Sequence, residues 1–112
     1  MAEALFDTNV LIRGCKENKR LQGFTTVLNL IEFPKALTLD LQVLFPSSSD
    51  FKLALRLSTE LYNIGSPIPA VDVVIAAMAL NRGLRLVTMD KHFFIIQEVN
   101  KDFQLDYKLS FP

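Results

Sequence analysis

One cysteine, Cys15, stands in a chain of 112 residues. It cannot form an internal disulfide, which suits a reducing cytoplasm. No apolar run approaches the roughly eighteen residues that a membrane span needs. The longest, Val73–Leu80, reads as a core segment, so no membrane association is expected. The stretch Met1–Asp7 has no basic region leading into a long apolar one, and no secretory signal is expected from it. An excess of charge is missing as well, since twelve basic groups face twelve acidic ones. A strongly basic nucleic-acid binder is therefore not indicated, although equal totals can hide an acidic pit with a basic rim. Gly-rich phosphate loops, zinc-ligand spacings and nucleophile elbows are absent, which removes support from those enzyme classes. Internal repeats and low-complexity segments are absent too. What is present is a chain half hydrophobic, with mean hydropathy +0.27. That is ample for one buried core, and a single domain over residues 1–112 is expected rather than a disordered chain.

The apolar Ala4-Leu5-Phe6 reads as a buried strand that ends at Asp7-Thr8-Asn9, all turn or cap formers. A helix begins at Val10, Lys16–Arg20 is solvated, and Gly23–Thr26 reads as a second strand. Thr26 caps a helix over Val27–Phe33, in which Glu32 is the single carboxylate among apolar neighbours. Pro34 breaks or kinks the chain, and the alternation at Leu37, Leu39, Leu41 and Val43 is compatible with helix or strand. Pro46–Asp50 reads as a loop whose serines cap a helix over about Phe51–Ile64, with Leu53, Leu57, Leu61 and Ile64 on one face and Gly65 as its stop. Pro69 opens the next helix, with Asp72 in its first turn and Gly83 beyond its end; being apolar nearly all round, it should be buried. Leu84–Thr88 is a strand leading to Asp90, Lys91–Glu98 a short helix, and Phe103–Leu109 a last strand. Strands separated by helices imply a three-layer α/β/α fold around a mainly parallel sheet. Ligand sites in such sheets gather outside the carboxyl ends of the strands. Asp7 and Asp90 fall there, and Glu32 and Asp72 sit on helices able to point to the same place.

Carboxylates on apolar faces or at buried helix mouths are costly unless their charge is compensated. No neighbouring segment supplies an obvious arginine partner for Asp7, Glu32, Asp72 and Asp90. If they meet, they repel, and a divalent cation relieves that repulsion. Hard oxygen ligands suit magnesium or manganese, and the chemistry such sites favour is attack of water on a phosphodiester. Each acid alone has a simpler account: Asp7 as a helix cap, Asp72 as a first-turn charge, Asp90 as turn chemistry, Glu32 as a side chain reaching solvent. The ordered set of four favours the shared site. Thr8, Asn9 and Thr88 flank the acids and are candidates to orient carboxylates or water, with capping the simpler role for the first two. His92, the sole histidine, reads as a turn or packing residue beside Phe93 and Phe94, and Cys15 as structural. Arg13, Lys16, Lys19 and Arg20, with Arg82, Arg85 and Lys91, are candidates either to track a phosphate backbone or to form solvated faces.

Four blocks carry a resemblance to a known family. Phe6-Asp7-Thr8-Asn9-Val10-Leu11-Ile12 resembles the opening of PIN domains, which are metal-dependent nucleases. Thr25–Phe33, with Glu32, is similar to their second block; Ala70–Ala79, with Asp72, to the third; and Leu86–Phe93, with Asp90, to the fourth. The resemblance covers nearly the whole chain and is nearest to the VapC-type toxins of toxin–antitoxin pairs. It implies an α/β/α fold with a parallel sheet, Mg2+- or Mn2+-dependent endoribonuclease activity, a cognate antitoxin and a homodimer. By motif position it implies that Asp7, Glu32, Asp72 and Asp90 form the catalytic, metal-binding centre, with Thr88 as a hydroxyl beside the last acid. The stretch between Glu32 and Asp72 is shorter than in many PIN domains, and that part often contributes to dimer and antitoxin contacts.

Other readings of the same residues are RNA processing or DNA cleavage outside a toxin pair, a non-catalytic PIN binding module, and a receiver-like phosphoacceptor that gathers acids around magnesium. Intact acids at all four positions count against a non-catalytic module. A single Asp after the first strand, where a receiver has an acidic pair, counts against the phosphoacceptor.

Overall fold

The computed structural model describes residues 2–108. Its strands are β1 (Ala4–Phe6), β2 (Phe24–Thr26), β3 (Gln42–Leu44), β4 (Arg85–Thr88) and β5 (Gln104–Tyr107). They form one sheet in the order β3-β2-β1-β4-β5, and every pairing is parallel. Leu5 of β1 lies opposite Phe24 on one side and Leu86 on the other. Since successive side chains point to opposite faces, each central strand feeds two cores. Leu5 and Leu86 pack with Leu57, Leu61, Ile75, Ala76, Phe93 and Ile96 on one face. Ala4, Phe6 and Val87 pack with Val10, Leu11 and Leu30 on the other.

The first of these layers is built by α3 (Ser48–Asn63), α4 (Ala70–Arg82) and α5 (Ile96–Val99); the second by α1 (Thr8–Lys16), α2 (Val27–Glu32) and a 3-10 helix over Pro34–Leu39. The arrangement is the expected three-layer α/β/α. Helix α4 is buried along Val73 and Ile75–Ala79, as its apolar composition requires. It ends where Gly83 takes a left-handed conformation (φ 63°) and the Leu84 N–H turns back to the Ala79 carbonyl at 2.9 Å. Gly23 has a steric role: a Cβ there would lie 2.6 Å from the Ala4 carbonyl oxygen, so β2 can lie beside β1 at that point only without a side chain.

Several boundaries differ from the sequence reading. The ambiguous Leu37–Val43 region divides into the end of the 3-10 helix and the edge strand β3, with Asp40 left-handed (φ 55°) between them. Helix α1 starts at Thr8 rather than Val10, and α3 at Ser48 rather than Phe51. The buried face of α3 is Asp50, Ala54, Leu57 and Leu61, while Ile64 lies past the helix and is exposed. Asp50, expected in a loop, is buried because a capping box with Ser47 and a bidentate pair with Arg82 (both 2.9 Å) satisfy it. The Lys91–Glu98 helix is a 3-10 helix over Lys91–Ile95 followed by α5. The last strand is Gln104–Tyr107, and Leu109, assigned to it from sequence, lies outside the described residues. Among the described residues no helix is long and apolar enough to cross a membrane.

Candidate active site

Strand order reverses between β1 and β4, which lie side by side although most of the chain separates them. In an open parallel sheet that switch point leaves a crevice outside the carboxyl ends of the two strands. The order also differs from the 2-1-3-4-5 order of receiver-like folds, which counts against the phosphoacceptor reading. Asp7 directly follows β1, and Asp90 comes two residues after β4.

Asp7 is buried, with 6% of its surface exposed. It occupies the N-cap position of α1, yet its side chain makes no cap hydrogen bond. Its carboxylate is used across the sheet instead. The Thr88 hydroxyl donates to Oδ2 at 2.7 Å, and the Asn29 amide donates to Oδ1 at 3.2 Å. Burial pushes the Asp7 carboxyl up; the bonds from Thr88 and Asn29 pull against this, and the charge of Asp90 adds to the rise. Asp72, in the first turn of α4, is likewise pushed up, first by burial and further by the charges of Asp7 and Asp90, while His92 opposes the shift. The charge of Asp90, beyond β4, thus acts on the acids that follow β1 and open α4, as in a shared crevice.

His92 ties two of them together. Its Nε2 lies 2.8 Å from Asp72 Oδ2 and its Nδ1 lies 2.9 Å from Asp90 Oδ1. Asp90 also accepts the His92 backbone N–H at 3.1 Å, starting the 3-10 turn, and its own N–H donates to Thr88 Oγ1 at 3.1 Å. The turn expected for His92 is present, and so is its packing on Phe93, with ring centroids 4.9 Å apart and the rings tilted by 38°. Its bridging of two acids, which come from separate elements, had no signal in the sequence.

Glu32 departs from its expected buried setting. It is exposed, because α2 is only six residues long and Glu32 ends it, with the apolar Ile31 exposed beside it (71%). It joins the site from the rim, where its Oε1 accepts from the Thr8 hydroxyl at 3.2 Å. Thr8 in turn accepts from the Asn29 amide at 2.9 Å. Asn29 is fully buried, and its carbonyl oxygen accepts from the Thr26 hydroxyl at 2.7 Å, within the capping box that starts α2. Its amide is thereby turned toward Asp7 and Thr8, a role missed from sequence although the Thr-x-x-Asn spacing was there to find. Asn9 accepts the Met89 N–H at 3.1 Å, locking the start of α1 to the loop that carries Asp90. Among the described residues, no buried side-chain polar atom lacks a partner.

The basic candidates divide. Arg82 is consumed by Asp50 on the far layer, and Arg85 is held by Asp106 (3.1 Å) and the Ala2 carbonyl (2.8 Å) at the amino end of β4. Both are structural, which corrects their assignment to RNA contacts. Arg13, Lys16 and Lys91 remain on the site's side, Lys91 exposed next to Asp90.

Among the described residues, no three or more His, Cys, Asp or Glu side chains are already arranged as a metal-holding group. The donor chemistry nevertheless fits magnesium or manganese. Both are hard ions, and magnesium in particular is commonly held by one or two carboxylates with the remaining positions left to water and phosphate oxygens. A buried, hydrogen-bonded carboxylate with two acids at hand is suited to that mode of binding.

No family model matches the chain, and no curated protein sequence matches it. Solved structures do. A chain of VapBC-5 from Mycobacterium tuberculosis, a member of the VapBC family of toxin–antitoxin systems, aligns over 96% of this chain and 100% of its own, with a TM-score of 0.77 and 21% identity. A chain of DNA-bound VapBC from Salmonella typhimurium gives 0.77 and 20%, over 96% and 98%. A chain of VapBC2 from Rickettsia felis, bound to a DNA fragment from its promoter, gives 0.74 and 17%, over 93% and 97%. The fold is therefore the PIN-like α/β/α fold found in these VapBC structures, and at such identity the likeness is one of fold.

Proposed function

We propose that this chain is a metal-dependent endoribonuclease and the toxin of a VapBC-type toxin–antitoxin pair. The observation that carries the reading is the gathering of Asp7, Asp72 and Asp90 at the switch point, where burial and the charge of Asp90 push both of the first two carboxyls up, Asp72 being pushed further by Asp7. The fold shared with VapBC structures supports the toxin assignment and a cognate antitoxin as partner. A homodimer is part of the same reading.

In this account Asp7, Asp72 and Asp90 hold Mg2+ or Mn2+, with Glu32 at the rim. When bound, the ion would lower the pKa of a nearby water and offset the charge that builds on the leaving oxygen of the phosphodiester. The chain's own residues prepare the site. Thr88 and Asn29 fix both oxygens of Asp7, so the carboxylate presents one orientation. His92 keeps Asp72 and Asp90 side by side. Thr8 aims Glu32 at the crevice mouth. Removing the attacking water's proton is work for a carboxylate at that place.

The test is incubation of the purified chain with single-stranded RNA and, in parallel, single-stranded DNA, with Mg2+, Mn2+ or EDTA. The expected result is RNA cleavage with either ion, none in EDTA, and a loss of at least ~100-fold in Asp90→Asn. Cleavage that persists in EDTA, or that Asp90→Asn leaves unchanged, would overturn the reading.

A further inference from the structure

One helical face of α1 is unaccounted for by the core or by the acids. Asn9, Ile12, Arg13 and Lys16 recur at helical spacing and line, with Met89, a groove of about 290 Å³. Its inner end lies next to the segments that carry two of the acids, since Asn9 is two residues from Asp7, Met89 immediately precedes Asp90, and the Met89 N–H bonds to Asn9. Lys19 and Arg20, both exposed on the loop that follows α1, line a separate groove with Phe6, Val87 and Lys108. A chain with no net charge thus places Arg13 and Lys16 in a groove next to the segments that carry its acids. Lys16 has no ion pair among the described residues, and Arg13 has only the exposed contact to Glu17 (3.0 Å), a kind of pair that yields readily to a stronger anion.

We infer that this groove is the track along which a single RNA strand enters or leaves the acidic centre, with its phosphates on Arg13 and Lys16. The inference rests on the nuclease reading and specifies how that site takes its substrate. Substrate phosphates approaching several carboxylates are repelled, and cations along one wall compensate for that repulsion over the adjoining nucleotides. From Asn9 to Lys16 the helix rises about 10 Å, enough to lie alongside the sugar–phosphate backbone of the nucleotides next to the crevice. Ile12, exposed between the two cations, supplies an apolar contact for a sugar or base.

The test is fluorescence anisotropy of a labelled ten-nucleotide single-stranded RNA bound to Asp90→Asn protein in Mg2+, measured across a salt series. Cleavage by the unsubstituted chain is assayed in parallel, so that loss of the nuclease reading is seen separately. Each phosphate contact on a single strand contributes about 0.7 to the slope of log affinity against log salt. Arg13→Ala with Lys16→Ala is expected to flatten that slope by about 1.4 and to weaken binding roughly tenfold at low salt. Lys52→Ala with Arg56→Ala removes the same charge from α3 on the opposite layer and is expected to do neither. Equal effects from the two pairs would reduce the groove to bulk charge and overturn the inference. No effect from Arg13→Ala with Lys16→Ala would also overturn it, leaving the cations to an acidic protein segment.

Discussion

Asp7 shows how much of a site one side chain can carry. Placed at the N-cap position of α1, it makes no side-chain N-cap hydrogen bond and instead engages Thr88 and Asn29 with its two oxygens. The acid is thereby oriented at a thermodynamic cost, because burial raises its pKa in the folded state. A raised carboxyl contributes stability that is complete below the unfolded value of about 3.9 and is lost as pH rises through the folded value. Ionised Asp7 therefore destabilises the metal-free fold at neutral pH. Asp7→Asn is expected to melt as high as the original protein or higher at pH 7 without metal, and the advantage should vanish near pH 3. Scanning calorimetry at the two pH values checks it; a large loss of stability at pH 7 would make Asp7 a structural residue. Asn29→Ala should act in the opposite sense. It strands the Asp7 and Thr8 partners in a buried place and should cost about 1–3 kcal/mol in urea unfolding.

At the level of elements, the layer of α3 and α4 is fastened by one buried ion pair. Burial alone would push the Asp50 carboxyl up, but the bonds from Arg82, the Ser47 backbone and Asn81 outweigh it and hold it well below the usual carboxylate range. The sign is opposite to that of Asp7. The stability Asp50 contributes is full above the unfolded value of about 3.9 and is lost as pH falls toward the depressed folded value. Arg82→Ala leaves an unpaired buried carboxylate and is expected to cost about 3 kcal/mol at pH 7, with a smaller difference below about pH 4. Denaturant titration at both pH values would reveal it, and an unchanged midpoint would mean that α3 and α4 are held by their apolar contacts alone. Between β1 and β2 the corresponding constraint is steric. Gly23→Ala sets a methyl 2.6 Å from the Ala4 carbonyl oxygen in a backbone conformation (φ 142°) that side chains disfavour. A loss of about 1–3 kcal/mol is expected from the strain, measured against Gly83→Ala, where the added Cβ meets no atom within 4 Å.

Across the whole molecule, what could be read in advance followed from local chemistry. Short apolar strands stopping at Asp7 and before Asp90, an apolar α4 and glycine stops are properties of a few neighbouring residues, and they sufficed for the layered fold and for the position of three acids. What could not be read depends on partners distant in sequence. Asp50 and Arg82 are 32 residues apart, so neither segment announces the pair that buries Asp50 and takes Arg82 from any ligand. His92 meets Asp72 across 20 residues, and Asn29 meets Asp7 across 22. Glu32 misled in the other direction, because its apolar neighbours Ile31 and Phe33 do not both enter the core of so short a helix. The account as a whole stands on carboxylates from separate elements forming one seat for a divalent cation. Isothermal calorimetry of Mn2+ into the original chain and into Asp7→Asn tests that most directly, without any RNA present. The account predicts saturable binding by the original chain and its loss in the variant, with a melting temperature that rises by on the order of 10 °C at a hundredfold excess over the dissociation constant. No binding heat and no thermal shift in the original chain, or equal binding by both proteins, would contradict it.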